Sequence, residues 1–229
     1  MTGLLKKQKN LLMNQNEKQE MEKTYKDYLN KTFLEELNYK IWSTKGSRFN
    51  ASTRLTKASQ LSNLSLSILS VYLTAVGLLS VYNLNFNSLD ENLIAYSITC
   101  LSILILIFGQ IENAKDFTMK SKEFHNCGLE LSKIYNDLRI YKTLTENQTL
   151  EQKEKFCKEI SDAYQRILER HENHQQIDIN LFKAKTAKYH ELSFIDVLKI
   201  KLEYYIRTSL LYHLLIILPP FIIITLLNK

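Results

Sequence analysis

The chain has 229 residues, with 30 Lys and Arg against 24 Asp and Glu, a formal net charge of +6 and a mean hydropathy of −0.21. Taken as averages these values describe an ordinary soluble protein, but they mix two materials: three uncharged apolar runs, and intervening sequence rich in Lys, Glu, Asn and Gln. Five glycines and two prolines favour helix almost throughout, and Cys100, Cys127 and Cys157 form neither an even disulfide set nor a metal-ligand spacing, so they are expected to be reduced.

The first residues, "MTGLLKKQKNLLMNQNEKQEMEK", contain no apolar signal-peptide region, and Thr2 excludes the glycine that myristoylation requires. The first span is therefore expected to act as its own insertion signal. Tyr25, Leu29, Phe33, Leu37 and Ile41 recur every four residues and predict an N-terminal helix with one apolar face. Then comes "IWSTKGSRFNASTRLTK", which carries Trp42, Lys45, Arg48, Arg54 and Lys57 without an acid. Such a segment could stack bases and neutralise phosphates. Its position, directly before a long apolar run, instead predicts a cytoplasmic membrane anchor and argues against nucleic acid.

The first run, Leu64 to Tyr82, is nineteen residues without a charge. At about 1.5 Å per residue it reaches roughly 28 Å, close to the thickness of a bilayer's hydrocarbon core. Within and just before it, Ser59, Ser62, Asn63, Ser67, Ser70, Thr74, Gly77 and Ser80 fall within about 140° of the helix circumference. Two readings of this face stand together: close helix packing through small residues, or a water-lined pore wall in an oligomer.

A second uncharged run spans Leu93 to Ile111, with Thr99, Ser102, Gly109 and Asn113 forming a weaker polar side and Glu112 just beyond it, where a solvated helix end is expected and a carboxylate ring in an oligomer is the alternative. Lys45, Arg48, Arg54 and Lys57 precede the first span and Lys115, Lys120 and Lys122 follow the second, whereas "NLNFNSLDEN" between them has no Lys or Arg. The positive-inside rule then predicts a hairpin with its tip outside and both the N-terminus and the segment from Lys115 to Arg207 inside.

The second span is expected to continue into a cytosolic helix. Phe124, Cys127, Leu131, Ile134, Leu138 and Tyr141 alternate in steps of three and four, the spacing of a coiled-coil seam. Thr149 and Gln152 are spaced as a capping box, after which Phe156, Ile160, Ala163 and Ile167 repeat the pattern. An antiparallel helix pair follows, with self-association through the seam as one outcome and packing within one chain as the other. His171 and His174 could approach each other, but no third metal ligand is evident. Ser209 to Asn228 is a third apolar run, interrupted by Pro219 and Pro220 and carrying His213 near its start. The expected organisation is thus a cytosolic helical region at 1–57, a transmembrane hairpin at 58–114, a cytosolic helical region at 115–207 and a third transmembrane helix at 208–229. The fold class is all-α membrane protein.

"IWSTKGSRFNASTRLTKASQLSNLSLSILSVY", "GQIENAKDFTMKSKEFHNCGLELSKIYNDLR" and "YQRILERHENHQQIDINLFK" resemble the SLATT family, two-transmembrane effectors that associate with SMODS nucleotidyltransferases and SLOG nucleotide-sensing proteins. The similarity runs from about Ile41 to Lys183 and is nearest to the subgroup found beside reverse transcriptases. It implies a multi-pass effector of the bacterial inner membrane in antiphage defence, which oligomerises, perforates the bilayer and kills or arrests the infected cell. It implies a reverse transcriptase or nucleotide-signalling protein as partner, and neither catalytic residues nor a cofactor. The third apolar run departs from the two spans in the family's name. The sequence also carries no H-E-x-x-H and no nucleophile elbow, so an enzyme is not expected. A non-conducting membrane anchor or scaffold remains the alternative function.

Overall fold

The computed structural model describes residues 31–81, 91–145 and 148–227, which form seven α-helices and one π turn, with no strand among the described residues. They are α1 (Phe33–Val81), α2 (Glu91–Ala114), α3 (Phe117–Leu144), α4 (Leu150–Arg170), α5 (Gln176–Lys185), α6 (Phe194–Tyr205), the π turn (Ile206–Leu210) and α7 (Leu211–Leu227). Tyr25, Leu29 and the 83–90 hairpin tip lie outside the described residues.

Helix α1 begins at a capping box. The Glu35 carboxylate accepts the Thr32 amide at 3.1 Å, while the Thr32 hydroxyl accepts the Glu35 amide at 3.4 Å. It then runs for 49 residues, about 73 Å, with no break at 57, so the basic segment and the first apolar run are one rod. The second span behaves differently from its expected continuation. Helix α2 stops at Ala114, and Asp116 adopts φ 49°, a left-handed backbone that no helix propagates through, before α3 starts at Phe117.

The described residues divide into two compact units, one within the bounds Met1–Trp42 and Lys133–Arg166 and the other within Ser43–Ser132 and Ile167–Lys229. In the first, Leu37, Ile41, Ile134, Leu138 and Ile160 are buried, and the rings of Tyr141 and Phe156 stack with centroids 3.7 Å apart. Phe33, on the same periodic face as Leu37 and Ile41, is exposed. The predicted capping box opens α4: the Thr149 amide donates to Gln152 Oε1 at 3.1 Å and the Gln152 amide to Thr149 Oγ1 at 3.3 Å.

In the second unit Ala51, Leu55 and Phe124 form a core cluster with Phe117 against it. Helix α5 approaches α1 closely at Gly46, where a β-carbon would run into the ring of Phe182. Helix α6 starts at a Ser/Asp capping box, Ser193 with Asp196, and joins α7 through the π turn. Two helical stretches, Phe33–Leu78 and Ala95–Leu144, are long and apolar enough to cross a membrane; α7, at 17 residues, is shorter.

Candidate membrane-boundary site

Glu112 follows the second apolar run, where a solvated carboxylate was expected. It is instead 4% exposed. A carboxylate leaves water only when its oxygens are matched, and three groups match them: the Tyr212 hydroxyl donates to Oε2 at 2.7 Å, the Lys115 ammonium pairs with Oε1, and Ser62 adds its hydroxyl. Tyr212 comes from α7, Ser62 from α1 and Lys115 from the end of the hairpin, so one carboxylate ties all three apolar helices at a single level.

Beside it, Ser59, Ser62, Asn63, Glu112, Asn113, Asp116, Phe117 and Thr118 line a cavity of about 160 Å³. That volume holds several waters, and the lining supplies the polar partners they need. Ser59 and Thr118 hydroxyls are 3.1 Å apart across it. Just below, Ser121 bonds to both Ser52, at 3.2 Å, and Thr56, at 2.7 Å.

The predicted small and polar face therefore splits. Ser59, Ser62 and Asn63 turn into this cavity. Ser67, Ser70 and Thr74 are exposed, each hydroxyl donating at 2.9 Å to the carbonyl four residues earlier, which removes the cost of an unpaired hydroxyl in apolar surroundings. Ser70 and Thr74 share a shallow groove of about 370 Å³ with Val71, Ala75 and Leu78. Gly77 has open space where a β-carbon would project, and the side chain of Ser80 lies outside the described residues. On α2, Thr99 and Ser102 likewise bond to their own helix, and Gly109 lies against Leu66 of α1.

The prolines of the third run have a partner in the first. Pro220 has no amide to offer the Ile216 carbonyl, and the Tyr72 hydroxyl of α1 donates to that carbonyl at 3.1 Å. The freed acceptor thereby becomes an interhelical contact. His213 bonds Tyr205 at 2.8 Å along its own segment.

The basic segment is divided as well. Lys57 is exposed, while Trp42 is half-buried with its ring edge-on to Tyr39 at 6.2 Å, and Lys45 is half-buried. Arg48 and Arg54 turn inward. The Arg54 guanidinium donates to both oxygens of the fully buried Asp178, Nε at 2.8 Å and Nη2 at 3.0 Å, an ion pair in which Arg54 is 12% exposed. Arg48 lies over the Phe124 ring at 5.5 Å and donates to Asn173 Oδ1 at 3.4 Å. Asn50 donates to the Asp178 carbonyl at 3.1 Å and accepts from Lys185 at 2.6 Å. Arg54, with Asn50, is a clamp that holds α5 on α1, because a buried carboxylate requires a counter-charge, and neither Arg48 nor Arg54 is presented to headgroups.

The two histidines have different surroundings. His171 meets Glu130 at 3.3 Å, beside the Arg170 ion pair with the same carboxylate at 2.7 Å. His174 has a buried Nδ1 without a hydrogen bond, and burial together with the Arg48 charge pushes its pKa down to about 4 against the opposing pull of Asp178. No group of three metal-binding side chains occurs among the described residues. Of the seam, Phe124, Cys127, Leu131, Ile134 and Leu138 are buried within the single chain and Tyr141 is half-buried, and burial raises the Cys127 thiol pKa.

Long helices with uncharged apolar runs, hydroxyls returned to their own backbone and an ion-paired carboxylate at the foot of a hairpin define an all-α membrane protein. Residues 30–226 match the SMODS and SLOG-associating 2TM effector domain family 5, and the chain belongs to that family. No curated protein and no solved structure matches it.

Proposed function

We propose that the chain is the membrane-perforating effector of a bacterial antiphage or conflict system, which self-associates in the inner membrane and depolarises the cell on activation. The observation that carries this reading is the polar cavity around Glu112 at the end of two membrane-length helices in a 2TM effector family. Tying the three helices together accounts for the buried carboxylate itself; a polar cavity of about 160 Å³ beside it is what a conducting path adds to that role. An assembled ring of such carboxylates, released from the Lys115 ammonium on activation, favours cations. The upstream signal comes from a reverse transcriptase or nucleotide-signalling partner, and the chain itself performs no catalysis.

Both termini of the hairpin are cytoplasmic and its tip is outside, on the distribution of Lys and Arg. Helix α7 inserts beside the hairpin through its contacts with Tyr72 and Glu112. An impermeant thiol reagent on intact cells tests the orientation: Ser88→Cys labels and Asn147→Cys does not, and the reverse pattern overturns it. The test of function is dye-reported membrane potential. Ser70→Leu and Thr74→Leu insert normally but no longer depolarise, whereas Ser70→Thr behaves as wild type; equal depolarisation by all of them removes this face from the conducting path.

A further inference from the structure

Helix α6 presents an apolar surface that its own chain does not cover. Phe194, Ile195, Leu198, Leu202 and Ile206 are exposed, Phe194 at 81%, and Tyr205 is exposed at 37%. At 100° per residue these six fall within about 120° of the helix. The side of α6 that carries Val197, Ile200 and Tyr204 is half-buried. The remaining stripe exposes roughly 600 Å² of apolar surface, the size at which a patch on a soluble surface marks an interface and most of what each partner contributes to a standard one.

The bilayer is a poor occupant for it on geometric grounds. Tyr212 marks the level of Glu112, and Tyr204, eight residues earlier, is within electrostatic reach of Arg54 and Asp178, so α6 stands beside the basic part of α1. At about 1.5 Å per residue Phe194 stands some 27 Å from Tyr212, beyond the headgroup layer. The seam that the sequence offers as an assembly surface is already filled within the chain.

We infer that the α6 stripe is the self-association surface, its occupant the same stripe of a second copy. The inference rests on the self-association proposed above and names its location. The bilayer supplies the alignment: α6 continues through the π turn into α7, so copies inserted in one membrane hold their stripes parallel and at one height. Exposed Lys199 and Lys201 flank the stripe on either side and repel their counterparts, so association strengthens with salt; an anionic occupant would bind more weakly as salt rises.

The experiment uses the full chain in membranes, with Cys100→Ser, Cys127→Ala and Cys157→Ser as background. Leu198→Cys and Leu202→Cys are expected to form disulfide-linked dimers on oxidation, and Glu203→Cys, about 60° beyond the stripe's edge, is not. In the native-cysteine chain, Leu198→Asp with Leu202→Asp should lower amine-crosslinked oligomer about tenfold or more with helix content unchanged, since both positions are exposed. A wild-type chain that is monomeric in membranes defeats self-association and this surface with it. Oligomer that persists in the double Asp variant defeats the surface alone. Quenching of Leu198→Trp fluorescence by brominated lipid assigns the stripe to the bilayer and also overturns the inference.

Discussion

Replacing Asp178 with Asn keeps the shape of the buried side chain and removes its charge. In the native protein its carboxylate accepts two guanidinium bonds from Arg54, at 2.8 and 3.0 Å, and the Gln175 amide at 3.1 Å. The carboxylate is 0% exposed and Arg54 is 12% exposed, so solvent screens the pair little. At an effective dielectric near 20, opposite charges at this distance attract by about 4 kcal/mol or more, most of which offsets desolvation. Asp178→Asn strands the Arg54 cation and Arg54→Met strands the Asp178 anion, each at a cost of about 3–5 kcal/mol. The double variant strands neither, so the two costs should fall short of additivity by about 2 kcal/mol or more. The assay is hydrogen exchange of α5 amides in detergent-solubilised protein. Each single variant should lose protection by roughly 10²-fold to a few thousand-fold, at roughly 1.4 kcal/mol per factor of ten. Additive losses, or α5 protection unchanged in the singles, would refute the clamp.

Tyr72→Phe should weaken the docking of α7 by about 1–2 kcal/mol, because the Ile216 carbonyl then has no donor; Pro220→Ala restores an amide and should make Tyr72→Phe nearly neutral, measured by unfolding in mixed micelles. Gly46→Ala should cost about 1–3 kcal/mol, since the new methyl displaces the Phe182 ring, and a thermal shift reads it. His174 has a pKa of about 4 when folded against about 6.5 unfolded, so the unfolded state binds the extra proton between those values. Stability is therefore full above pH 6.5 and falls as pH drops towards 4, by on the order of 1–2 kcal/mol after allowing for its partial exposure. His174→Gln should flatten that slope in thermal unfolding followed across pH; an unchanged slope assigns the dependence to another group.

Features that depend on local sequence were legible. Two apolar runs match a bilayer's thickness and recur as α1 and α2, and the Thr149/Gln152 box opens α4 where its spacing says it should. Positions three and four apart placed Leu131, Ile134 and Leu138 on one face, and all three are buried. Features that depend on distant partners were hidden. Arg54 and Asp178 are 124 positions apart and Glu112 and Tyr212 are 100 apart, so neither pair leaves a periodic trace. A usable signal existed at Asp178, an acid between Ile177 and Ile179 that needs a counter-ion if that face is buried. The break at Asp116 left a weaker mark: aspartate is several-fold enriched in left-handed backbone but still uncommon there, so its presence alone does not single out this position.

Conduction through a purified, reconstituted protein tests the central claim most directly. Planar-bilayer recording should give discrete openings with a cation-favouring reversal potential under a salt gradient, and Glu112→Gln should move that potential towards the unselective value while the protein still inserts. A wild-type chain that is inserted and oligomeric yet never passes current, alone or with its activating partner, would contradict the account and leave a membrane scaffold in its place.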